Sequence, residues 1–353
     1  MEFIEDDALP MYIEEDEEEA AAAKQKRRQQ SWKPPPPPPT KEEEAKEARD
    51  LAMMNKLHEY DPKLGYGCYN RIWFVDFDIF DIDEETQFGP MRFTDSDITD
   101  SHELTNSLNV LLVKIMSSDV GFPVNVYGTV IVRDRLDLKC IYIFRRNRHN
   151  CQLVQSEGES LILTGPSRGL VFYFDAYFEI DLKIKKDAEI SDEQFCKALI
   201  DVDVGKFKSN KVARKTVVSW LSEVDFILSY VKNAVEGTVE IRILSGPEAF
   251  SGKINACTTN DPNPILLYDS DIDDAITLGN DNRVLQLLRR VVAVSKDQML
   301  IVHYYACSDD QNGYMSHCIC EFTPRFKGAD KTEITCGVYM LQVKVTWSPV
   351  LVH

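Results

Sequence analysis

Arg168 is the residue of this sequence whose setting best suits anion binding. It lies in the turn sequence GPSRG at residues 165–169, and we expect Arg145, Arg146 and Arg148 of the preceding hairpin region to assist it. A guanidinium held by a tight turn can bind a carboxylate or a phosphate through two parallel hydrogen bonds. Proline and glycine also specify a tight turn by themselves. A ligand-binding role for Arg168 is therefore a hypothesis, with a structural turn as the alternative.

The segment DSDIDD at residues 269–274 is a candidate calcium site. It does not fit an EF-hand, because its sixth position is Asp274 instead of glycine and its twelfth is Asn280 instead of glutamate. Loop carboxylates of a β-sandwich can still bind calcium, as in C2-type domains, and Asp134 with Asp137 would offer a second pair. Solvated acidic loops are the alternative. The candidate ligand residues in this segment are Asp269, Asp271 and Asp273.

Histidine and cysteine residues accumulate around a predicted hairpin. The dipeptide Asn312-Gly313 favours a tight turn, which would bring two strands together. These strands carry residue types that bind zinc: His303, Cys307, His317, Cys318 and Cys320. The C-x-C spacing is not the C-x-x-C spacing of structural zinc sites, and cysteines buried in a β core are commoner. The presence of a metal is left open, and no cofactor is predicted.

Motifs of the common enzyme classes do not occur in the sequence. It contains no G-x-x-x-x-G-K-(S/T), G-x-G-x-x-G, G-x-S-x-G or H-E-x-x-H. We therefore predict no catalytic residue and no enzymatic activity.

The overall charge argues against several partners. Acidic residues outnumber basic ones by 58 to 40, and the net charge is −18. An acidic chain is a poor match for nucleic acid, which is bound through neutralisation of phosphates, and for anionic membranes. No stretch approaches the roughly 20 apolar residues of a membrane span, and the start lacks the apolar part of a signal peptide. The odd number of cysteines, nine, predicts reduced thiols in the cytoplasm, with the nucleus as an alternative because of the basic run at 24–28.

Residues 1–40 are predicted to form a disordered arm. Residues 2–19 contain ten acidic residues and no basic one. Six consecutive prolines, the first Pro34 and the last Pro39, favour a stiff polyproline II spacer. Binding of these prolines to an SH3 or WW-type domain is the alternative. Residues 41–70 are predicted to form a helix, over 41–60, and a linker.

Residues 71–347 are predicted to form a β domain. Apolar and polar side chains alternate, most clearly in FEIDLKIK at 178–185, as in half-buried antiparallel strands. We predict a strand over 218–230 and a short helix over 191–200, after an S-x-x-Q capping box. The predicted fold class is all-β, an antiparallel β-sandwich with one or two short helices. The further predicted strands are 72–80, 108–116, 124–133, 138–145, 159–164, 264–268, 284–294, 299–306 and 315–322.

An internal repeat is suggested by two similar segments. VYGTVIV at 126–132 resembles VEGTVEI at 235–241, an offset of 109 residues that pairs Gly128 with Gly237. This predicts two similar β units packed together, over 120–190 and 230–306. A chance match in a β-rich chain is the alternative.

Several sequence segments together resemble one protein family. They are SSDVGFPVNVYGTVIVRD (117–134), KCIYIFRR (139–146), LTGPSRGL (163–170), FEIDLKIK (178–185), VKNAVEGTVEI (231–241) and LLYDS (266–270). They resemble the domain of unknown function 6598, a plant family that is expanded in grasses, over residues 106–347. The resemblance implies an all-β domain and a plant origin. It brings no activity and no catalytic residues.

The predicted function is that of a non-enzymatic protein-interaction or regulatory module, associated with stress or defence in plants. A calcium- or lipid-binding C2-like module and an enzyme are the alternatives. Some members of the resembled family occur beside ribosome-inactivating domains, but no glutamate in this chain has an arginine three positions later, as those rRNA N-glycosylases require. A hydrolase is the other enzymatic alternative, and both are disfavoured.

Overall fold

The computed structural model describes residues 38–99, 102–207, 212–272, 283–307 and 316–351, and most of them lie in antiparallel β-sheets. The predicted helix is present as α1 (Lys41–Leu57). It begins with a capping box, in which the Glu43 N–H donates to Thr40 Oγ1 over 3.3 Å and the Thr40 N–H donates to Glu43 Oε2 over 2.6 Å. The predicted disordered arm lies outside the described residues, except for positions 38–40.

A short hairpin follows the helix, formed by β1 (His58–Asp61) and β2 (Tyr66–Tyr69). The strand predicted at 72–80 is wrong, because this segment forms turns. The aspartates explain the difference: the Asp76 and Asp81 carboxylates accept the N–H groups of Asp78 and Asp83, over 3.1 and 2.8 Å. Such local bonds compete with a strand ladder.

A first β-sandwich begins at residue 107. One sheet has the order β10-β11-β3-β7, and the facing sheet has the order β5-β4-β8-β9, with β6 paired to β4. The strands are β3 (Ser107–Ser118), β4 (Val124–Arg133), β5 (Ile141–Arg146), β6 (Gln152–Val154), β7 (Glu159–Ser160), β8 (Asp175–Ile184), β9 (Glu193–Asp203), β10 (Val212–Ser219) and β11 (Ser222–Val231).

A second β-sandwich follows directly. Its sheets have the orders β15-β12-β19-β18 and β14-β13-β16-β17. The strands are β12 (Ala234–Ser245), β13 (Gly252–Thr258), β14 (Asp261–Asp269), β15 (Val291–Ser295), β16 (Leu300–Ala306), β17 (Ser316–Phe322), β18 (Gly328–Cys336) and β19 (Tyr339–Pro349).

The two sandwiches share one topology. If the short β6 is set aside, the strands of each can be numbered one to eight, and both then have sheets of order 4-1-8-7 and 3-2-5-6. Gly128 lies on the second strand of the first sandwich, whereas Gly237 lies on the first strand of the second. The offset of 109 residues therefore does not relate equivalent strands. The equivalent of β4 is β13.

Each sandwich has its own apolar core between its sheets, and inward-facing residues alternate along the strands. The first core includes Phe178, Phe195 and Phe226, and the second includes Tyr304 and Trp347, all at most 1 % exposed. The alternation predicted at 178–185 is confirmed as strand β8.

The two sandwiches are also hydrogen-bonded to each other. The Asn109 side chain on β3 accepts the Ala293 N–H over 3.0 Å and donates to the Ala293 carbonyl over 2.8 Å, on β15. A small apolar cluster of Val171, Val231, Ala234, Ala293 and Val350 lies at the same junction. The two sandwiches thus pack against each other.

The helix predicted at 191–200 is wrong, because these residues belong mostly to strand β9. The capping box does not form: Ser191 Oγ donates to the Ala188 carbonyl, and the Gln194 amide donates to Asp181 and to the Leu182 carbonyl on β8. Pairing with β8 buries Phe195 and Cys196 in the core. Tertiary pairing therefore overrides the local signal.

The remaining strand predictions differ mainly at their ends. Residues 218–230 are extended as predicted, but a turn at Trp220 and Leu221 divides them between β10 and β11. The strand predicted at 159–164 is reduced to β7, and the one predicted at 284–294 begins only at Val291. In the described part of the chain, no helix is long and apolar enough to cross a membrane.

Candidate functional site

Arg168 is completely buried and already holds an anion from its own chain. Its Nη1 donates to Asp134 Oδ2 over 2.5 Å and its Nη2 donates to Asp134 Oδ1 over 3.0 Å. Both side chains are 0 % exposed. Asp134 Oδ2 also accepts the Val171 N–H over 2.7 Å. The two parallel hydrogen bonds expected of Arg168 are present, and their acceptor is the Asp134 carboxylate.

The turn that carries Arg168 is fixed to the second sandwich. The carboxylate of Glu236, on β12, accepts the Gly169 N–H and the Met91 N–H, each over 2.7 Å. Two buried carboxylates, Asp134 and Glu236, thereby hold the loop between the sandwiches. This geometry favours the structural alternative for the turn, and the binding of an outside anion by Arg168 stays a prediction.

The arginines predicted to assist Arg168 bind elsewhere. Arg145 stacks on the ring of Tyr142 at 4.1 Å and lies 3.5 Å from Glu85. Arg148 donates to Asp192 over 2.7 Å. Arg146 donates to the Asn150 side chain over 3.1 Å. None of these contacts involves the turn at 165–169.

One of the aspartates predicted to bind calcium, Asp269, forms an ion pair with a lysine. Asp269 is 9 % exposed and lies 2.9 Å from Lys253 Nζ. It also accepts the N–H of Asp271 over 3.2 Å, and Asp271 itself is exposed. Asp273 and Asp274 lie outside the described residues. Calcium binding at this loop stays a prediction.

The predicted zinc-ligand residues separate onto two faces of the hairpin formed by β16 and β17. His303 and His317 lie on the outer face, where their ring nitrogens are 3.1 Å apart, and Cys257 Sγ lies 3.6 Å from the other nitrogen of His303. Cys320 points into the core. Cys307 is exposed, and Cys318 donates to the Thr335 carbonyl. Among the described residues no three histidine, cysteine or acidic side chains are grouped to bind a metal ion.

A second buried charge centre surrounds Glu179, and no motif in the sequence points to it. Glu179 belongs to the alternating segment, whose pattern predicts the charged outer face, yet it is only 5 % exposed. It binds Arg133 and Arg71, over 2.7 and 2.9 Å, and accepts the N–H of Ile72. Burial alone would lower the pKa of Arg71, but Glu179 and Asp83 raise it above its ordinary value. Residues 71–83 therefore cover the outer face of this sheet.

Next to the covering segment lies a row of contacting aromatic rings, which we call the aromatic surface: Trp73 and Phe74 of the segment are exposed, and Tyr69 and Tyr177 on either side are partly buried. Tyr69 stacks on Trp73 with ring centroids 4.9 Å apart, Trp73 meets Phe74 at 6.1 Å, and Phe74 meets Tyr177 at 4.9 Å. Trp73 is 39 % exposed and Phe74 is 42 % exposed. Neighbouring exposed aromatic residues of this size are a feature of interaction sites.

Cations already lie on rings in and beside the aromatic surface. The Arg135 guanidinium is 5.6 Å from the ring centre of Tyr177, and Lys139 Nζ is 4.4 Å from that of Phe80. Residues 72–91 contain six acidic residues and no lysine or arginine. The ring faces and the nearby carboxylates both attract positive charge.

The chain is distantly similar to two groups of solved structures. The human GIVD cytosolic phospholipase A2 is 8 % identical, with a TM-score of 0.20 over 69 % of this chain and 33 % of that one. The chain therefore spans about one third of that phospholipase. The calcium-bound pair of C2 domains of extended-synaptotagmin 2 is 6 % identical, with a TM-score of 0.23 over 71 % of this chain and 98 % of that one. No curated protein matches the chain.

A family model does match, and its limits agree with the fold. The match covers residues 107–345, from the first residue of β3 into β19, and so takes in both sandwiches and the turn of Arg168. The aromatic surface draws Tyr177 from this region and its other three rings from the preceding segment. The chain belongs to the family described as domain of unknown function DUF6598.

Proposed function

We propose that this protein is a non-enzymatic protein-interaction module whose aromatic surface binds a partner segment that carries lysine or arginine beside aliphatic side chains. The observation that carries the proposal is the row of four contacting rings, with Trp73 and Phe74 about two-fifths exposed. Tryptophan and tyrosine supply much of the binding energy at protein interfaces, because they bury a large area with few rotatable bonds.

The chemistry of the partner is argued from the charges at this surface. Arg135 and Lys139 lie over rings of Tyr177 and Phe80, so the local geometry suits a cation on a ring face. Asp78 and Asp81 are exposed on the covering segment. A basic partner would gain Coulomb attraction and ring contacts together, whereas an acidic partner would be repelled.

The placement of the buried charges also supports a binding role without catalysis. Arg168 with Asp134, and Arg133 with Glu179, are ion pairs that bind backbone groups of neighbouring loops. A general acid or base must be available to a substrate, whereas each of these four side chains is engaged in an ion pair within the chain. Their contacts hold loops in place.

The test uses the full chain and a fluorescein-labelled peptide of alternating lysine and leucine. We expect saturable binding, measured by fluorescence anisotropy, with a blue shift of tryptophan emission as Trp73 becomes covered. The double variant Trp73→Ser, Phe74→Ser should bind at least about tenfold more weakly, since two interface aromatic residues contribute more than about 1.4 kcal/mol. A glutamate–leucine peptide should not bind.

The matched control is Ile190→Ser, which removes a residue that is 98 % exposed elsewhere on the first sandwich. It should leave the affinity unchanged. Equal affinity of the double variant and the parent chain would show that the peptide binds the general acidic surface, and would overturn the proposal. Absence of binding to the parent chain would overturn it as well.

A further inference from the structure

A cavity of about 660 Å³ lies between the two sandwiches, which we call the inter-sandwich cavity. Its walls come from the turn at 165–167, the outward faces of β12 and β19, and the segment 284–290. This volume is in the range of small-molecule sites. The aromatic surface contributes no residue to it, so a ligand here would be independent of the function proposed above.

Arg289 is the unusual residue of this cavity. It is 3 % exposed, and the one hydrogen bond that its side chain forms among the described residues is from Nη1 to the Val110 carbonyl on β3, over 2.6 Å. A guanidinium has five N–H donors, so most of its donor capacity is left for another acceptor. Among the described residues no carboxylate forms an ion pair with it, unlike the buried Arg133 and Arg168.

Burial without a counter-ion has an energetic cost. The loss of water around Arg289 lowers the pKa of its guanidinium to about 10, so it still carries a positive charge at neutral pH. A buried charge is ordinarily paired. Because this charge is persistent, Arg289 can bind an anion but cannot exchange a proton with a substrate.

The surrounding charges reinforce the same preference. Arg290 and Lys344 also line the cavity, and Glu240, the acidic residue that lines it, lies opposite Lys344 across the paired strands β12 and β19. The cavity is thus cationic in a protein of net charge −18. Much of the rest of the lining is apolar, including Leu285 and Leu288.

We propose that the inter-sandwich cavity binds an organic anion, in which a carboxylate or phosphate group pairs with Arg289 and an apolar part contacts the leucine-lined wall. The planar guanidinium can form two parallel hydrogen bonds with either anionic group. Arg168 lies on the turn that forms one wall, yet it is occupied by Asp134. The anion-binding arginine of this region is therefore Arg289, and Arg168 positions the wall.

The experiment is isothermal titration of the full chain with phenyl phosphate, phenylacetate, inorganic phosphate and the neutral benzyl alcohol. We expect one of the two aromatic anions to bind with a 1:1 stoichiometry, and the preferred one identifies the anionic group. Inorganic phosphate should bind more weakly, because it lacks the apolar part. Benzyl alcohol should bind weakly and equally in all variants that leave the cavity open.

Substitutions at Arg289 decide whether the cavity binds the anion through this side chain. Arg289→Met, which keeps an unbranched apolar stem and removes the guanidinium, should weaken anion binding at least about tenfold, as the loss of a charge-assisted hydrogen bond predicts. Arg289→Lys should retain part of it. The control is Lys215→Gln, which removes one positive charge at an exposed position of β10 away from the cavity and should change the affinity less than about twofold.

A second variant tests the cavity without a substitution at position 289, so its result does not depend on whether Arg289→Met folds. Ser167→Trp places a large ring at the exposed end of the cavity wall and should abolish binding while Arg289 stays intact. Equal anion affinity of the parent chain and Arg289→Met would overturn the proposal. So would the absence of anion binding to the parent chain, which would leave Arg289 as a structural link to Val110.

Discussion

Arg168 and Asp134 form a completely buried ion pair, with two hydrogen bonds of 2.5 and 3.0 Å between residues 34 positions apart. The pair fixes the turn at 165–169, whose Gly169 N–H is bound by Glu236 of the second sandwich. Arg168, which the sequence indicates as the best candidate for anion binding, therefore helps to join the two sandwiches.

Asp134→Asn should destabilise the protein strongly. The substitution keeps the shape of the side chain but removes the carboxylate that forms two hydrogen bonds with the buried Arg168 guanidinium, and Asp137, 3.6 Å away, remains as its more distant counter-ion. Loss of one partner of a buried ion pair costs about 3–5 kcal/mol. Urea denaturation at pH 7 measures the loss of the free energy of unfolding. The paired variant Asp134→Leu, Arg168→Met removes both charges and should recover much of the stability.

The control for this prediction is the partly exposed ion pair of Arg135 and Asp175. Asp175→Asn should cost less than about 1 kcal/mol, because solvent screens exposed charges. If Asp134→Asn cost no more than Asp175→Asn, the ion pair of Arg168 would have no structural importance.

Gly128→Ala should destabilise the first sandwich far more than Gly121→Ala does. Both glycines have positive φ, of +126° and +78°. A Cβ at Gly128 would lie 2.1 Å from the carbonyl oxygen of Asp181 on β8, whereas one at Gly121 would meet no atom within 4 Å. Gly121→Ala should cost about 1–2 kcal/mol for the backbone conformation alone, and Gly128→Ala several times as much.

Thermal unfolding of the two alanine variants tests this comparison. Gly252 of β13 has φ of +144°, and a Cβ at this position would lie 1.9 Å from the carbonyl oxygen of Tyr305 on β16. Gly252→Ala should therefore resemble Gly128→Ala. Similar melting temperatures for Gly121→Ala and Gly128→Ala would contradict the close approach of β4 and β8.

Asp192→Asn should lower stability at neutral pH but not in acid. Arg148, Lys186 and Tyr127 donate hydrogen bonds to the Asp192 carboxylate, and the bond from Arg148 contributes most to holding its pKa well below the ordinary value of 3.8. In the unfolded chain this carboxyl takes up its proton near pH 4. The stabilisation is therefore present above that pH and is lost as pH falls through the lower pKa of the folded state.

The measurement is the urea midpoint of the parent chain and of Asp192→Asn between pH 7 and pH 2. The difference between them should shrink as the pH falls below 4. Asp187→Asn, an exposed site in the same segment, should follow the parent chain throughout. A difference that stays constant over this range would mean that the charge of Asp192 contributes nothing.

Periodicity in the sequence was sufficient to predict the β class and most strands, because each sandwich buries one face of every sheet. It failed at Glu179, where alternation indicated a solvent-facing residue. Residues 71–83 return over that face and bury the carboxylate against Arg71 and Arg133. Period-two patterns report which side chains share a face, but not what covers the outer one.

The candidate sites were harder to predict because their partners are distant in sequence. Arg168 shows a turn signal locally, but its partner Asp134 is identified only once β4 and the turn are adjacent. Arg289 stands in the sequence LLRRVV without any motif. Its interest comes from burial without a carboxylate, which depends on how two separate sandwiches meet.

His317→Gln should raise the pKa of His303 but not restore it to its ordinary value. The pKa of His303 is lowered first by burial and second by the nearby His317. Their ring nitrogens are 3.1 Å apart, so positive charges on both rings would repel each other. Removal of His317 takes away the repulsion and leaves the larger effect of burial. The pKa should therefore rise and remain below 6.5.

The titration of the His303 ring signals by NMR, in the parent chain and the variant, measures this change. Because the folded-state pKa of His303 lies below that of the unfolded chain, the unfolded state binds more protons, and His303 destabilises the fold as pH falls below about 6.5. That acid sensitivity should weaken in His317→Gln. His149→Gln, on the first sandwich, should leave the pKa of His303 unchanged. An unaltered His303 titration in His317→Gln would instead assign the whole shift to burial.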